Sequence, residues 1–317
     1  DFQPDLIHVH NSFPLVSPSV YWVAHALQVP VVQTLHNFRL ICPQALMLRG
    51  GRVCEDCVGK VPWRAVLHRC YRGSTPESAA VAGMVQLHRA FGTWHHKVTL
   101  YVALNSFCRD KFIAGGLPAE RIRIKPNFID LPAPPEAERN GFLFAGRLSQ
   151  EKGLGVLARA LQSAPSTVRV AGEGPDAAQL AGLPGAQMLG ALTSNVLYAE
   201  MARAQALLVP SIWYENFPRT LVEAGANGLP VIASRLGALP SLVQDGETGL
   251  LFEPGDGADL ARKMQWAASH PAEMARMGRA ARQRYEREWT GAANHRTLVT
   301  LYDEAVRARQ TLIAARP

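Results

Sequence analysis

The chain alternates short apolar runs with longer amphipathic stretches, and the alternation starts afresh near its middle. Apolar runs rich in β-branched residues occur at Leu6–His10, Val29–Thr34, Leu100–Leu104 and Ile122–Lys125. Runs of this length, bounded by turn-forming residues, predict buried strands. Helical patterns lie between them, at Ser17–Leu27 and Pro76–Phe91. The second series predicts strands at 141–146, Thr167–Ala171, Ala186–Leu189, Ala206–Val209 and Pro230–Ala233, with a helix near Gly153–Ser163. From about Asp256 to Ala315 the chain is Ala- and Arg-rich and reads as helix, either packing back on the first series or touching a membrane. Strand, loop and helix in repetition imply parallel sheets with helices on both faces.

The two series are separated by a polar, Pro-rich stretch, Leu131–Asn140. Such a stretch predicts a linker. With 317 residues the chain is also longer than a single core readily serves. The expectation is an α/β fold of two Rossmann-like domains facing each other across a cleft, the first over residues 1–135 and the second over 140–317. Open sheets of this kind bind ligands at the carboxyl ends of their strands.

Composition changes this picture in two places. The formal net charge is +7, and residues 1–135 carry 14 Lys and Arg against 8 Asp and Glu. A basic first half suits anionic partners, including acidic lipid, although a solvated basic surface accounts for charge alone. Five cysteines, an odd and clustered set, argue against a disulfide scaffold and for a reducing compartment. No apolar stretch is long enough to cross a bilayer and no signal peptide is evident. The expected location is the cytoplasm, with peripheral contact at the inner face of the membrane.

Three segments of the second half carry candidate chemistry. Gly146-Arg147-Leu148-Ser149-Gln150-Glu151-Lys152-Gly153 joins a strand end to a helix start. Two cations there flank free N–H groups, an arrangement that favours an anion. Gly172-Glu173-Gly174-Pro175 is a Gly turn directly after a strand, where a ligand can approach the backbone. Alone, it is equally an ordinary turn. The third segment, Pro210 to Ala224, contains Glu215, Asn216, Phe217, Pro218, Leu221 and Glu223. Pro218 suits a first helical position, and the N–H groups of Arg219 to Leu221 then form a second anion seat. Glu223 sits in an apolar stretch, where an unused carboxylate is costly.

Glu215-x7-Glu223, with Pro210-Ser211 before it and Asn216-Phe217-Pro218 inside it, resembles the E-x7-E signature of retaining glycosyltransferases of family 4. Gly146-Arg147-Leu148 with Lys152, Gly172-Glu173-Gly174-Pro175, Gly228–Ala233 and Asp245–Phe252 are similar to further motifs of that family. In the first half, Thr34-Leu35-His36-Asn37 and Pro126–Asp130 are also similar. The resemblance implies a GT-B fold and a metal-independent hexosyltransferase. The enzyme would move a sugar from a UDP- or GDP-sugar to a saccharide or lipid-linked saccharide, as in envelope polysaccharide synthesis. The first domain would be the acceptor side. By the same resemblance, Arg147 and Lys152 neutralise the donor diphosphate, Glu215 binds hydroxyls of the transferred sugar and Glu223 binds the ribose. Gly146, Glu173, Gly174, Asn216, Phe217, Pro218 and Leu221 complete the donor site, and His36 lies near the transferred sugar. His8 and His10 alternate on one strand, and a structural role suits at least one of them.

The chain departs from the family pattern at its beginning. The usual opening strand with a Gly-rich loop is absent, and Leu6–His10 resembles a later strand, so an incomplete first domain is expected. Within that domain lies an insertion of about residues 42–70. Cys54-x2-Cys57, flanked by Cys42 and Cys70, has the spacing of a structural four-thiolate zinc site, with His68 as a substitute ligand. Separate buried cysteines fit the same spacing.

Other assignments are an epimerase or phosphorylase of the same architecture, an inactive transferase, or a binding module using the basic half. A nucleic-acid module is disfavoured, because no stretch interleaves aromatic with basic residues as stacking platforms require.

Overall fold

The structure is a computed structural model that describes residues 2–134 and 138–314, with side chains as far as Thr311. Of the expected linker, Pro135, Glu136 and Ala137 lie outside the described residues, as does Ala315 at the expected end of the last helix. The chain divides into two compact units: Asp1–Arg49, Cys54–Pro126 and Asn294–Pro317 in the first, Gly50–Val53 and Asn127–Ala293 in the second.

The first unit contains a four-stranded sheet in the order Ile7–His10, Val31–Thr34, Leu100–Ala103, Ile122–Ile124. All its pairings are parallel. Leu100–Ala103 is buried along its whole length, as expected of an inner parallel strand covered on both faces. Two of its helices start at capping side chains. Ser74 Oγ accepts from the Glu77 N–H at the start of Thr75–Ala90, and Asn105 Oδ1 accepts from the Cys108 N–H at the start of Ser106–Ala114.

The last helix, Gly291–Ala314, belongs to the first unit from Asn294 onward. This differs from the expected division, which kept 140–317 together. The cause is tertiary: Leu301 and Ala305 are buried against Val32, Leu100 and Val102. Lys125, 8% exposed, donates through Nζ to Asn294 Oδ1 at 3.0 Å, and Asn294 Nδ2 donates to the Pro126 carbonyl at 2.7 Å. Burial lowers the Lys125 pKa, because a desolvated ammonium is disfavoured.

The second unit contains a six-stranded sheet in the order Gly249–Phe252, Val231–Ser234, Ala206–Val209, Phe142–Ala145, Val168–Ala171, Ala186–Gly190. All its pairings are parallel. Leu143 lies opposite Leu207 in the register. The order reverses between Phe142–Ala145 and Ala206–Val209. Helices Leu154–Ser163, Gly257–Ser269 and Pro271–Glu288 bury Leu157, Leu260, Met264 and Met277 in a core with Phe144, Val170 and Ile232. Each such aliphatic side chain contributes about 1.5–3 kcal/mol. Among the described residues no helix is long and apolar enough to cross a membrane.

Replacing Asn294 by Ala removes the acceptor of a buried ammonium. Urea unfolding is expected to show a loss of about 1.5–3 kcal/mol, the range for hydrogen bonds to charged groups. An unchanged midpoint would mean that the Lys125–Asn294 bond does not hold the last helix.

Candidate functional site

In an open parallel sheet, the point where strand order reverses opens a crevice at the carboxyl ends of the strands. In the second unit three loops leave adjacent strands at that point: 146–153 after Phe142–Ala145, 172–176 after Val168–Ala171, and 210–218 after Ala206–Val209. They are joined backbone to backbone. The Leu148 N–H donates to the Glu173 carbonyl at 2.8 Å, the Asp176 N–H to the Leu148 carbonyl at 3.0 Å, and the Ile212 N–H to the Glu151 carbonyl at 3.0 Å. Glycine is required in this weave. At Gly153, with φ 79°, a Cβ would collide with the Pro210 carbonyl, and at Gly174 it would collide with that of Leu148.

The weave carries a charged cluster. Lys152 ends a short 3₁₀ turn, Gln150–Lys152, and its Nζ lies 2.8 Å from Glu215 Oε1. Ser211 Oγ donates to the same oxygen at 2.7 Å, and the Trp213 ring lies 5.3 Å from Nζ. Glu215 is 4% exposed. A carboxylate so buried is tolerable because both bonds to it are charge-assisted. Glu223, 6% exposed, lies on the second turn of the helix Arg219–Ala226. Its Oε1 accepts from Arg219 Nε at 3.1 Å and, at the long limit of 3.5 Å, from the Tyr198 hydroxyl. Burial raises the Glu223 carboxyl above its ordinary range, and the Arg219 guanidinium opposes the rise.

The remaining expected residues fall as follows. Gly146 directly follows the strand Phe142–Ala145, and Arg147, beside it, is exposed. Glu173 is exposed, and its backbone carbonyl, not its carboxylate, holds Leu148. Asn216 is half-buried in the loop. Phe217 is buried, edge-on to Trp289 at 5.7 Å, and its carbonyl accepts from Asn127 Nδ2 at 3.2 Å. Pro218 is the cap, not the first helical residue, because its ψ of 125° is extended. Buried Leu221 turns its N–H back onto the Pro218 carbonyl, so the expected anion seat loses that member. The structure therefore brings Lys152 together with Glu215, while Glu223 has its own partners. Ser211, Tyr198 and the pairing role of Arg219 were missed. The Arg219–Glu223 pair was legible as an i,i+4 spacing, whereas Ser211 and Tyr198 carry no comparable signal.

In the first unit, His36 follows the strand Val31–Thr34. Its Nε2 lies 2.7 Å from His10 Nδ1. His8, on the same face of its strand as His10, bonds through Nε2 to Thr34 Oγ1 at 2.8 Å and through Nδ1 to the Tyr302 hydroxyl at 2.7 Å. Burial, then the neighbouring His10 and the Lys125 ammonium, lowers both His8 and His36 to about 4. These rings are neutral at neutral pH. In the His10–His36 bond one ring must donate and the other accept, so their tautomers are coupled.

The four cysteines of the expected zinc set lie near one another, since the thiols of Cys42, Cys54 and Cys70 all act on Cys57. Among the described residues no three His, Cys, Asp or Glu side chains are gathered as metal ligands, and Cys42, Cys54, Cys57 and Cys70 are free. Burial raises the Cys42 thiol, while N–H groups of Met47, Gln44 and Ala45 bond to its sulfur. Burial and the neighbouring thiols push Cys57 up to about 11. Protonated thiols of this kind pack as small apolar groups.

Residues 131–284 match the family model of glycosyl transferases group 1, and residues 1–132 match that of glycosyltransferase family 4. A D-rhamnosyltransferase of Pseudomonas aeruginosa is 34% identical over 157 residues, 47% of this chain and 41% of the relative. A sulfoquinovosyl transferase of Arabidopsis thaliana is 27% identical over 305 residues, 92% of this chain and 55% of the relative. A glycogen synthase of Mycobacterium tuberculosis is 28% identical over 301 residues, 89% of this chain and 64% of the relative. The chain thus spans between two fifths and two thirds of the length of these relatives. Among solved structures, Anabaena Alr3699/HepE in complex with UDP superposes with a TM-score of 0.70 at 20% identity, covering 94% of this chain and 79% of that one. Sucrose-phosphate synthase from Thermosynechococcus elongatus gives 0.68 at 20% identity, covering 98% and 74%. The two glycosyltransferase family models thus match adjacent stretches of the chain, and the structural likeness shows an α/β fold of the GT-B architecture.

The lowered histidines set a pH dependence. Below 6.5 an unfolded histidine binds a proton that His8 and His36 in the folded unit refuse until about 4. Their contribution to stability is therefore intact above pH 6.5 and drains away as pH falls from 6.5 to 4. Histidine-resolved NMR titration is expected to find both rings neutral at pH 6, with the melting temperature falling through this window. Midpoints near 6.5 for both rings would refute the expectation.

Proposed function

We propose that the chain carries out retaining transfer of a sugar from a nucleoside-diphosphate donor to a saccharide or lipid-linked saccharide. The observation that carries this reading is the pairing of half-buried Lys152 with buried Glu215 at the strand-order reversal. Breaking the sugar–phosphate bond places negative charge on the leaving diphosphate. An ammonium fixed in advance stabilises that charge without reorganising at the moment of reaction. Lys152 has three N–H donors, so it can keep Glu215 while donating to a phosphate oxygen. Exposed Arg147 adds a fork suited to phosphate. Glu215, already oriented by Lys152 and Ser211, accepts from hydroxyls of the transferred sugar. Glu223, held by Arg219, accepts from the ribose hydroxyls.

In the first unit His36 meets the sugar being transferred. The acceptor hydroxyl attacks the anomeric carbon on the face the diphosphate leaves. The C–O bond to the phosphate breaks, and a phosphate oxygen takes the acceptor proton. A glycoside and a nucleoside diphosphate result, with configuration retained. The UDP complex of a structural neighbour supports a nucleotide donor. The basic first half, with Trp63, Leu67, Leu87 and Phe91 exposed, supports peripheral contact with an anionic membrane surface on the cytoplasmic side, where envelope polysaccharides are assembled.

Calorimetry of the full chain with UDP, GDP and ADP tests this. One nucleotide is expected to bind. Glu223→Ala and, separately, the double change Arg147→Ala with Lys152→Ala should each weaken it by about 10–100-fold, which is about 1.4–2.8 kcal/mol. A folded chain that binds none of the three would refute the reading.

A further inference from the structure

Cys42, Cys54, Cys57 and Cys70 all belong to the first unit, and two backbone residues tie them in pairs. The Met47 N–H bonds to the Cys42 sulfur, and the Met47 carbonyl accepts from the Cys54 N–H at 2.8 Å. Ala65 repeats the arrangement: its N–H bonds to the Cys57 sulfur, and its carbonyl accepts from the Cys70 N–H at 2.9 Å. Between Cys54 and Cys57, Asp56 Oδ2 lies 2.9 Å from an Arg49 nitrogen and 3.4 Å from one of Arg64, which pins their turn on two sides. The four thiols are mutual neighbours. Cys54 acts on Cys42, all three others act on Cys57, and Cys42 and Cys54 act on Cys70.

The surroundings of these sulfurs suit a negative charge that burial opposes. A neutral thiol sulfur is a weak acceptor. Cys42 nevertheless collects three N–H groups, those of Met47, Gln44 and Ala45. Such bonds favour the thiolate, the form that ligates metals. The guanidinium groups of Arg39, Arg49 and Arg89 lie close enough to act on Cys42, Cys70 and Cys57 in turn. Burial still holds the thiols of Cys42, Cys57 and Cys70 above their ordinary range. A bound cation removes the conflict, because it neutralises the charge where it forms. The segment also has little else to hold it. Its regular structure between Cys42 and Cys70 is two strands of two residues and the five-residue helix Trp63–Leu67, with Val61, Trp63 and Leu67 exposed. So small a core usually needs a staple such as a structural metal.

We propose that Cys42, Cys54, Cys57 and Cys70 bind one zinc ion as a closed, structural four-thiolate site. Four soft sulfur ligands suit tetrahedral zinc. Four S–Zn bonds form, the four thiol protons are released, and the site keeps a net charge of −2, which the three guanidinium groups offset. Among the described residues no three such side chains are gathered on one point. Closing the site therefore takes rotation of the cysteine side chains, while backbone bonds hold the loops that carry them. His68 is exposed, and four thiolates fill the tetrahedron without it. The Cys42 N–H donates to the Phe38 carbonyl at 2.8 Å, so the staple also anchors the segment that leaves His36. The proposal does not depend on the transferase reading.

Elemental analysis of the full chain, purified under reducing conditions without chelator, tests it. About one zinc per chain is expected. The reduced chain given Co²⁺ in place of zinc should show the strong absorption of tetrahedral thiolate-bound cobalt. Cys57→Ser and Cys70→Ser should each weaken zinc, in competition with a coloured chelator, by more than the about 10–100-fold that loss of a supporting group costs. Cys108→Ala should leave it unchanged, because the Cys108 thiol is buried with Asn105 and is not acted on by the other four. If the serine variants do not fold, the zinc content and the cobalt spectrum of the unaltered chain decide. A chain that neither carries zinc nor takes up Zn²⁺ when reduced overturns the proposal. So does zinc that both serine variants retain, iron with sulfide in its place, or a disulfide among the four cysteines under the reducing conditions.

Discussion

The charged groups of the second unit depend on a backbone constraint: three loops at adjacent strand ends are bonded to one another through their peptide groups. Gly153 and Gly174 stand where any side chain would strike the Pro210 or Leu148 carbonyl, so the loops close only with glycine there. Once closed, they set Lys152 from one loop against Glu215 and Ser211 from another. A buried ion pair is stable only when its geometry and remaining bonds are good, and opening it by removing one partner typically costs about 3–5 kcal/mol. The weave supplies that geometry, and the parallel sheet, whose order reverses at this point, supplies the place for it.

The two units handle charge in opposite ways. The second fixes full charges: Lys152 on Glu215, and Arg219 on a Glu223 whose carboxyl burial raises. The first keeps His8 and His36 neutral, because burial, the neighbouring His10 and the Lys125 ammonium oppose protonation. On the proposed reading this division matches the chemistry. A leaving diphosphate is stabilised by cations already in position. A neutral hydroxyl is best received by a neutral group such as His36.

Much of the fold was legible because parallel strands are local apolar runs. Ala206–Val209 was placed residue for residue, and Phe142–Ala145 and Val168–Ala171 within one residue. The helix starts at Ser74 and Asn105 are likewise written in capping residues that act over three positions. Spacing alone did not fix the geometry in which Cys42, Cys54, Cys57 and Cys70 approach one another, because that depends on how an insertion folds back on itself. Nor did it foresee that Pro218 would cap its helix from an extended conformation.

The sequence by itself determined the two αβ series, the loops that end their strands and the residue types that those loops offer. Those features follow from periodicity and turn chemistry, which act within a few residues. The tertiary structure decided the partners: Ser211 for Glu215 within one loop, Tyr198 for Glu223 across 25 positions, Tyr302 for His8 across 294. It also returned the end of the chain to the first unit, by burying Leu301 and Ala305 on Val32 and Leu100, and it buried Gln33 Oε1 and Trp94 Nε1 without partners. Such pairings are set by which surfaces bury one another, and a one-dimensional pattern does not carry that information.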